Sequence, residues 1–304
     1  MRSIVAMACY LALNGAFPQL AAAQGTAASV STQYVEIDGS RIGYRSIGSG
    51  TPLVLLTRLR GTLDTWDPLF LDQLAEHHRV ITLDYPGTGY STGTLPTEMG
   101  QVAAFVSAFA TKIGVTRFAV LGWSWGGLVS QALLLDYPKM VSHAVLVGTT
   151  PPGPGQSEIQ PIWLERAFKP INDLGDEEIL FFEPKSESSR RAAKLSHDRI
   201  YARPDVVSKI PATQAEFQAF FKATDAFRAD QSGRREELTK SRVPMLILCG
   251  DNDTSVPASN WYPLVGRIPR AQLIVLPESG HGPQHQYPEL SASYISAFLR
   301  DSGK

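Results

Sequence analysis

The residues able to do chemistry fall in three short segments. The first, Gly122-Trp123-Ser124-Trp125-Gly126-Gly127, lies between a short apolar run, Phe118 to Leu121, and a helical pattern beginning near Leu128. A serine on so sharp a strand-to-helix turn holds its hydroxyl clear of the sheet near a helix N-terminus. Its neighbours must be small, a requirement that Gly122 and Gly126 meet. A glycine-rich turn with an incidental serine is the plainer reading of these letters. The strand before them and the helix after them favour Ser124 as a nucleophile.

A serine hydroxyl is a weak nucleophile at neutral pH and needs a base within hydrogen-bond reach, oriented in turn by a carboxylate. After the run Met245 to Leu248 the chain reads Cys249-Gly250-Asp251-Asn252-Asp253-Thr254-Ser255-Val256-Pro257, which offers Asp251 and Asp253. After Leu273 to Leu276 it reads Pro277-Glu278-Ser279-Gly280-His281-Gly282, which offers His281, with His285 four residues on. The order serine, acid, histidine is one of three known for such triads. His77, His78, His143 and His197 read as structural or solvated. No spacing resembles a metal site, and no cofactor is implied.

These side chains need a scaffold to bring them together. Apolar runs at Leu53 to Leu56, Val80 to Leu83, Phe118 to Leu121, Ala144 to Val147, Met245 to Leu248 and Leu273 to Leu276 predict strands buried on both faces. Helical patterns at Gln101 to Ile113, Leu128 to Tyr137 and Leu290 to Leu299 alternate with them. Tyr34 to Ile37 and Arg41 to Ser46, joined at Asp38-Gly39, predict an antiparallel hairpin at the start. The expectation is an α/β fold with a mostly parallel eight-stranded sheet flanked by helices. The alternation breaks from Pro151 to Arg242, where Pro151-Pro152-Gly153-Pro154-Gly155 leads into charged helical stretches carrying Phe181, Phe182, Phe217, Phe220 and Phe221. This stretch reads as an inserted helical cap laying an apolar face on the core, or alternatively as a second packing layer without functional contact. The predicted division is residues 24–150 with 243–304 as core and 151–242 as cap.

From about Thr32 to the end, the chain resembles the α/β-hydrolase superfamily, in particular its capped serine esterases and cofactor-free haloperoxidase-like relatives. In such proteins the acid stands three residues after the glycine and four before the proline, which implies Asp253 with Asp251 as fallback. Their histidine directly follows a glycine just past a strand, which implies His281 over His285. The resemblance also implies an oxyanion hole made by the backbone N–H groups of Trp125 and Leu59. The second assignment rests on Thr57-Arg58-Leu59-Arg60-Gly61 through Trp66, where Thr57 and Arg58 replace the His-Gly pair usual in relatives. Arg58 and Arg60 are unusual there. Either guanidinium could bind a substrate carboxylate or stabilise developing charge, and either could face solvent or hold the cap. Trp123 and Trp125 are candidates for packing and pocket walls, favouring an apolar acyl or alcohol group. Asp84 to Ser91, glycine-bearing but wrongly spaced for a nucleotide, reads as the shaped loop that relatives carry after this strand.

The function implied is hydrolysis of a small, apolar carboxylic ester or lactone through an acyl-enzyme. A cofactor-free haloperoxidase or perhydrolase using the same triad is the alternative within enzymes, and a non-catalytic ligand-binding protein the alternative outside them. Epoxide and haloalkane hydrolysis are disfavoured because those relatives carry aspartate where this chain has Ser124.

Composition sets the outer bounds. With 28 basic and 29 acidic residues among 304, 43% hydrophobic and 19% charged, the chain reads as globular, without the charge bias of a nucleic-acid or membrane-surface binder. A small molecule is the expected partner, and oligomeric state is not legible. Arg2, the apolar run Ile4 to Leu13 and Ala21-Ala22-Ala23 read as a cleavable signal peptide over residues 1–23, so the expected location is secreted or periplasmic. The run falls short of the roughly 20 apolar residues of a membrane span, and no membrane insertion is expected. The sequon Asn252-Asp253-Thr254 overlaps the candidate acid, which fits the periplasm better than a eukaryotic secretory route. Once the leader is gone, Cys249 is the remaining cysteine and no intramolecular disulfide is possible.

Overall fold

Alternate residues of each apolar run face opposite sides of one sheet. The computed structural model describes residues 25–155 and 158–300, so the expected signal peptide lies outside the described residues. The strands are β1 (Gln33–Ile37), β2 (Ser40–Ile47), β3 (Thr51–Leu56), β4 (His78–Leu83), β5 (Phe118–Trp123), β6 (Val141–Val147), β7 (Met245–Gly250) and β8 (Ala271–Leu276). Their order in the eight-stranded sheet is β1-β2-β4-β3-β5-β6-β7-β8. β2 pairs antiparallel with β1 and β4, and every pair from β4 across to β8 is parallel. Val54, Leu56, Ile81, Leu83, Val120 and Leu146 enter one buried cluster, while Leu53, Leu55, Val80, Leu121, Val145 and Val147 enter another. A sheet covered on both faces has no solvated side, which is why its strands lack polar alternation.

Helices α1 (Pro68–Ala75), α2 (Met99–Lys112) and α3 (Trp125–Asp136) lie in the first half of the chain. Between β6 and β7 come α4 (Pro161–Ala167), α5 (Leu174–Phe181), α6 (Glu187–Ile200), α7 (Val206–Lys209), α8 (Gln214–Ala229) and α9 (Arg234–Lys240). After β8 follow α10 (Pro283–Gln286) and α11 (Pro288–Arg300). α2 and α3 cover one face with Val102, Val106, Phe109, Val129 and Leu133. α1 and α11 cover the other with Phe70, Leu74, Ile295 and Phe298. None of the described helices is long and apolar enough to cross a membrane.

Five of the six helices between β6 and β7 are seated on the two clusters. Phe220, Ala223 and Phe227 of α8 and Leu238 of α9 join the α2–α3 side. Trp163 and Ala167 of α4, Leu180 and Phe181 of α5 and Ala193 of α6 join the other. Polar ties add direction to this packing. Asp67, the N-cap of α1, receives Arg199 of α6 through two hydrogen bonds of 2.8 and 2.6 Å. Thr213 and Glu216 cap the start of α8 reciprocally.

One local expectation shifts. α3 starts at Trp125 and not near Leu128, because the chain turns helical immediately after Ser124. His78 opens β4 and is buried, with Nε2 3.2 Å from the Ser296 hydroxyl of α11.

Candidate active site

Ser124 sits between β5 and α3 with φ 56° and ψ −116°, a conformation that costs a non-glycine residue of order 1–3 kcal/mol. Its N–H donates to the Val147 carbonyl at 2.8 Å, and its carbonyl accepts from Gly127 N–H at 2.9 Å. The turn closes so tightly that a Cβ at Gly122 would strike the Gly126 carbonyl and the Ser130 hydroxyl. One at Gly126 would strike the carbonyls of Leu56 and Thr57. The two glycines are the condition under which the strained serine can exist.

His281 and Asp253 arrive from the loops after β8 and β7. His281 Nε2 lies 2.7 Å from Ser124 Oγ, and Nδ1 lies 2.8 Å from Asp253 Oδ2. With Nδ1–H donating to the carboxylate, Nε2 is left as acceptor for the serine hydroxyl. The His281 backbone is fixed by Trp123, whose indole N–H donates to its carbonyl at 2.8 Å. Asp253 is buried. Burial alone would raise its pKa, but His281 and the N–H groups of Val256 and Ser255 outweigh burial and hold the carboxyl below its ordinary value. Asp251, the other candidate, is exposed and accepts from Ser279 N–H at 3.0 Å, joining the two loops and not the histidine. Cys249, just before it, is buried, which pushes its thiol up and leaves it inert.

His285 takes a structural place beneath the site. Its ring packs 4.6 Å from Trp123, and Nε2 accepts the Asp67 N–H at 3.3 Å. Burial, together with Arg58 and Arg199, overrides the attraction of Asp67 and lowers its pKa to about 4. The unfolded value is about 6.5. Between those values the unfolded chain takes up a proton that the folded chain refuses, so the stability linked to His285 is complete above pH 6.5 and fades toward pH 4. Asp84, raised by burial to about 7, works in the opposite sense, so the informative quantity is a difference between proteins. Urea melts at pH 7 and pH 4 should show wild type losing about 3 kcal/mol more than His285→Gln. Equal losses would contradict this assignment.

Two clefts meet at Ser124. One, of about 570 Å³ counting its open mouth, is walled by Trp125, Leu128, Ile159, Trp163, Phe220, Phe221 and Val256 with Leu59 at its edge. The other, of about 310 Å³, is lined by His281, Leu59, Arg58, Arg60, Asn172 and Phe181 among others. Little of that space is enclosed, about 80 Å³ in the first and about 20 Å³ in the second, so both are narrow clefts below the usual size of a preformed small-molecule cavity. Trp125 opens α3, so its N–H has no carbonyl one turn back within the helix, the property an oxyanion donor needs. Leu59 lines both clefts beside Ser124.

Trp123 corrects an expectation. It is fully buried, lines neither cleft, and packs against Trp66, Phe181 and His285. An inward-facing residue of a central strand has no route to the pocket. Trp125 does form a wall, and its indole N–H reaches Thr224 at 2.9 Å and the Phe220 carbonyl at 3.2 Å, joining the elbow to α8.

Arg60 lines the second cleft and is also an anchor, the alternative in which it holds the cap. Its side chain donates to the carbonyls of Pro211 (2.7 Å), Ala167 (2.9 Å), Lys169 (2.8 Å) and Pro170 (2.7 Å) from a backbone held at φ 61°. The guanidinium is therefore spent on the segments flanking α4 and α8, and its pKa, lowered by burial and by Arg58 to about 10, leaves it charged. Arg60→Met strands those buried acceptors and is expected to cost about 3 kcal/mol or more in a thermal or urea melt. An unchanged melt would show that the contacts carry no net stability.

Trp163, Ile159, Thr149, Thr150 and Val256 line the site without having been legible as site residues. They belong to no motif. Phe220 and Phe221 were visible as part of an apolar helix face, although not as pocket walls.

A family model described as alpha/beta hydrolase fold matches residues 51–288. Over 265 residues the chain is 31% identical to the dihydrolipoyllysine-residue acetyltransferase component of the acetoin cleaving system of Cupriavidus necator, which covers 84% of this chain. The match spans 65% of that longer relative. It is 26% identical over 265 residues to the pimeloyl-(acyl-carrier protein) methyl ester esterase of Nitrosomonas europaea, covering 84% of this chain and 98% of the relative. A solved structure, an alpha/beta hydrolase fold protein from Chitinophaga pinensis, superposes with a TM-score of 0.79 at 30% identity, covering 91% of this chain and 99% of that one.

Proposed function

The chain belongs to the alpha/beta hydrolase fold family, and from that premise we propose that it is a serine hydrolase cleaving a carboxylic ester or lactone of a small substrate through an acyl-enzyme. The observation that carries this reading is the unbroken relay Asp253–His281–Ser124, at 2.8 and 2.7 Å, with Ser124 lining two narrow clefts. The likeness to a methyl ester esterase, over 84% of this chain and 98% of that relative, supports ester chemistry.

In this reading Ser124 Oγ attacks the substrate carbonyl while His281 Nε2 takes its proton. Asp253 holds the imidazole in the tautomer that can accept and stabilises the imidazolium that results. The oxyanion settles on the N–H groups of Trp125 and Leu59, each such donor being worth about 2.7–4 kcal/mol. His281 then hands its proton to the leaving oxygen, and the alcohol departs. Water attacks the acyl-enzyme as His281 removes its proton, and Ser124 is released with the carboxylic acid.

A panel of p-nitrophenyl esters of graded acyl length, run beside simple lactones, tests the reading. Turnover falling off beyond short or medium acyl chains is expected, because the apolar cleft is bounded by Phe220 and Phe221. A folded protein that turns over no member of the panel would favour a ligand-binding role.

A further inference from the structure

Arg58 is half-buried beside the nucleophile, and among the described residues it has no acidic side chain in ion-pair contact. It leaves β3 one residue before Leu59, and among the described residues its side chain makes one hydrogen bond, from Nη1 to the Leu59 carbonyl at 2.8 Å. Its Nε is buried without an acceptor. Two fully buried arginines of this region are paired differently: Arg45 meets Asp64 at 2.6 Å, and Arg60 is spent on backbone carbonyls. Around Arg58 the surroundings are mostly aromatic, with its guanidinium 4.5 Å from the Phe181 ring centroid and 5.3 Å from that of Trp123. The acid closest to it electrostatically, Glu177, is already engaged at both oxygens, by the Tyr201 hydroxyl at 2.6 Å and by His197 at 2.8 Å.

A partly desolvated guanidinium with no carboxylate in contact is costly, and the cost is recovered when an anion reaches it. The position of Arg58 indicates where that anion would come from. It lines the cleft that also contains Ser124 and His281, whereas the apolar cleft on the Trp125 side contains Ser124 without His281. His281 must give its proton to the leaving oxygen, so the alcohol half of the substrate occupies the His281 side and the acyl half the apolar side.

Resting on the serine hydrolase reading above, we propose that Arg58 binds a carboxylate carried by the alcohol half of the ester. The preferred substrate class is then an apolar acyl group esterified to a small hydroxy acid. Hydrolysis consumes one water and releases an apolar carboxylic acid from Ser124 and the hydroxy acid from the Arg58 side. Arg58 is a specificity residue in this scheme and takes no part in the proton transfers.

Two esters of equal size test it: the butanoate ester of glycolate, which carries the charge, and that of glycolamide, which does not. Wild type should favour the glycolate ester by about ten- to a hundredfold in kcat/KM, mostly through KM, the factor expected for one charge-assisted pair. In Arg58→Met the ratio should fall to about one, and Arg58→Lys should recover part of it. Calorimetry of the glycolate ester with the Ser124→Ala protein reads the same binding without turnover. A wild-type ratio at or below one, or a preference that survives in Arg58→Met, overturns the proposal while leaving the hydrolase reading intact. Absence of turnover of both esters and of the p-nitrophenyl panel, with no fluorophosphonate adduct on Ser124, overturns both.

Discussion

Replacing Ser124 by alanine is expected to lower kcat on any ester the protein hydrolyses by on the order of 10⁵- to 10⁶-fold, with the fold intact. The size of the loss follows from the geometry. One oxygen, 2.7 Å from His281 Nε2, forms and breaks the covalent bond to the acyl group, and no neighbouring hydroxyl can replace it. The next serine along the chain, Ser130 of α3, is buried and donates to the Gly126 carbonyl at 2.9 Å. The fold should survive because the strained turn is held by backbone hydrogen bonds and by the glycines on either side, none of which involves the serine side chain. A variant that keeps more than a hundredth of wild-type turnover would place the chemistry elsewhere.

The second large effect separates the two aspartates. Asp253→Asn is expected to reduce kcat by about 10⁴-fold, and Asp251→Asn by no more than about twofold, as expected of an exposed side chain outside the relay. Asp253 uses Oδ1 to accept from the N–H groups of Ser255 and Val256 and Oδ2 to accept from His281. An asparagine that keeps its oxygen on those N–H groups must turn its NH₂ toward His281 Nδ1. That nitrogen then becomes an acceptor, the proton moves to Nε2, and the ring can no longer take the proton of Ser124. Asp251 has no such link to the ring, and an asparagine there still accepts from Ser279 N–H. Equal losses from the two substitutions, or a larger one at position 251, would refute the assignment. Steady-state kinetics on one activated ester suffices to decide.

These expectations were legible in the sequence to different degrees, for physical reasons. Ser124 was visible because the elbow imposes a local steric rule, small residues at 122 and 126, which the chain itself displays. Asp253 and His281 were placed in loops after strands by the same local logic, but choosing them over Asp251 and His285 needed a resemblance, since both members of each pair stand in the right loop. The structure separates them by burial and direction: Asp251 turns to the backbone of the next loop, and His285 turns inward beneath Trp123. The strands were readable because a two-sided parallel sheet writes itself as uninterrupted apolar runs. What lines the pocket was not readable. Ile159 and Trp163 come from the segment entering α4 and Val256 from the loop after β7, and the two meet only in the folded chain. Arg58 and Arg60 illustrate the same limit. They are two residues apart and chemically identical, yet one is fastened to four carbonyls and the other stands beside the nucleophile with a single hydrogen bond. Long-range partners decided their roles.

The central claim is that Ser124 is the residue that becomes acylated, and the most direct test is the mass of the protein after exposure to a fluorophosphonate. The expected result is one adduct per chain, mapped by peptide sequencing to Ser124, and none in Ser124→Ala under the same conditions. A folded wild type that gains no mass, or an alanine variant labelled at the wild-type rate, would contradict the claim.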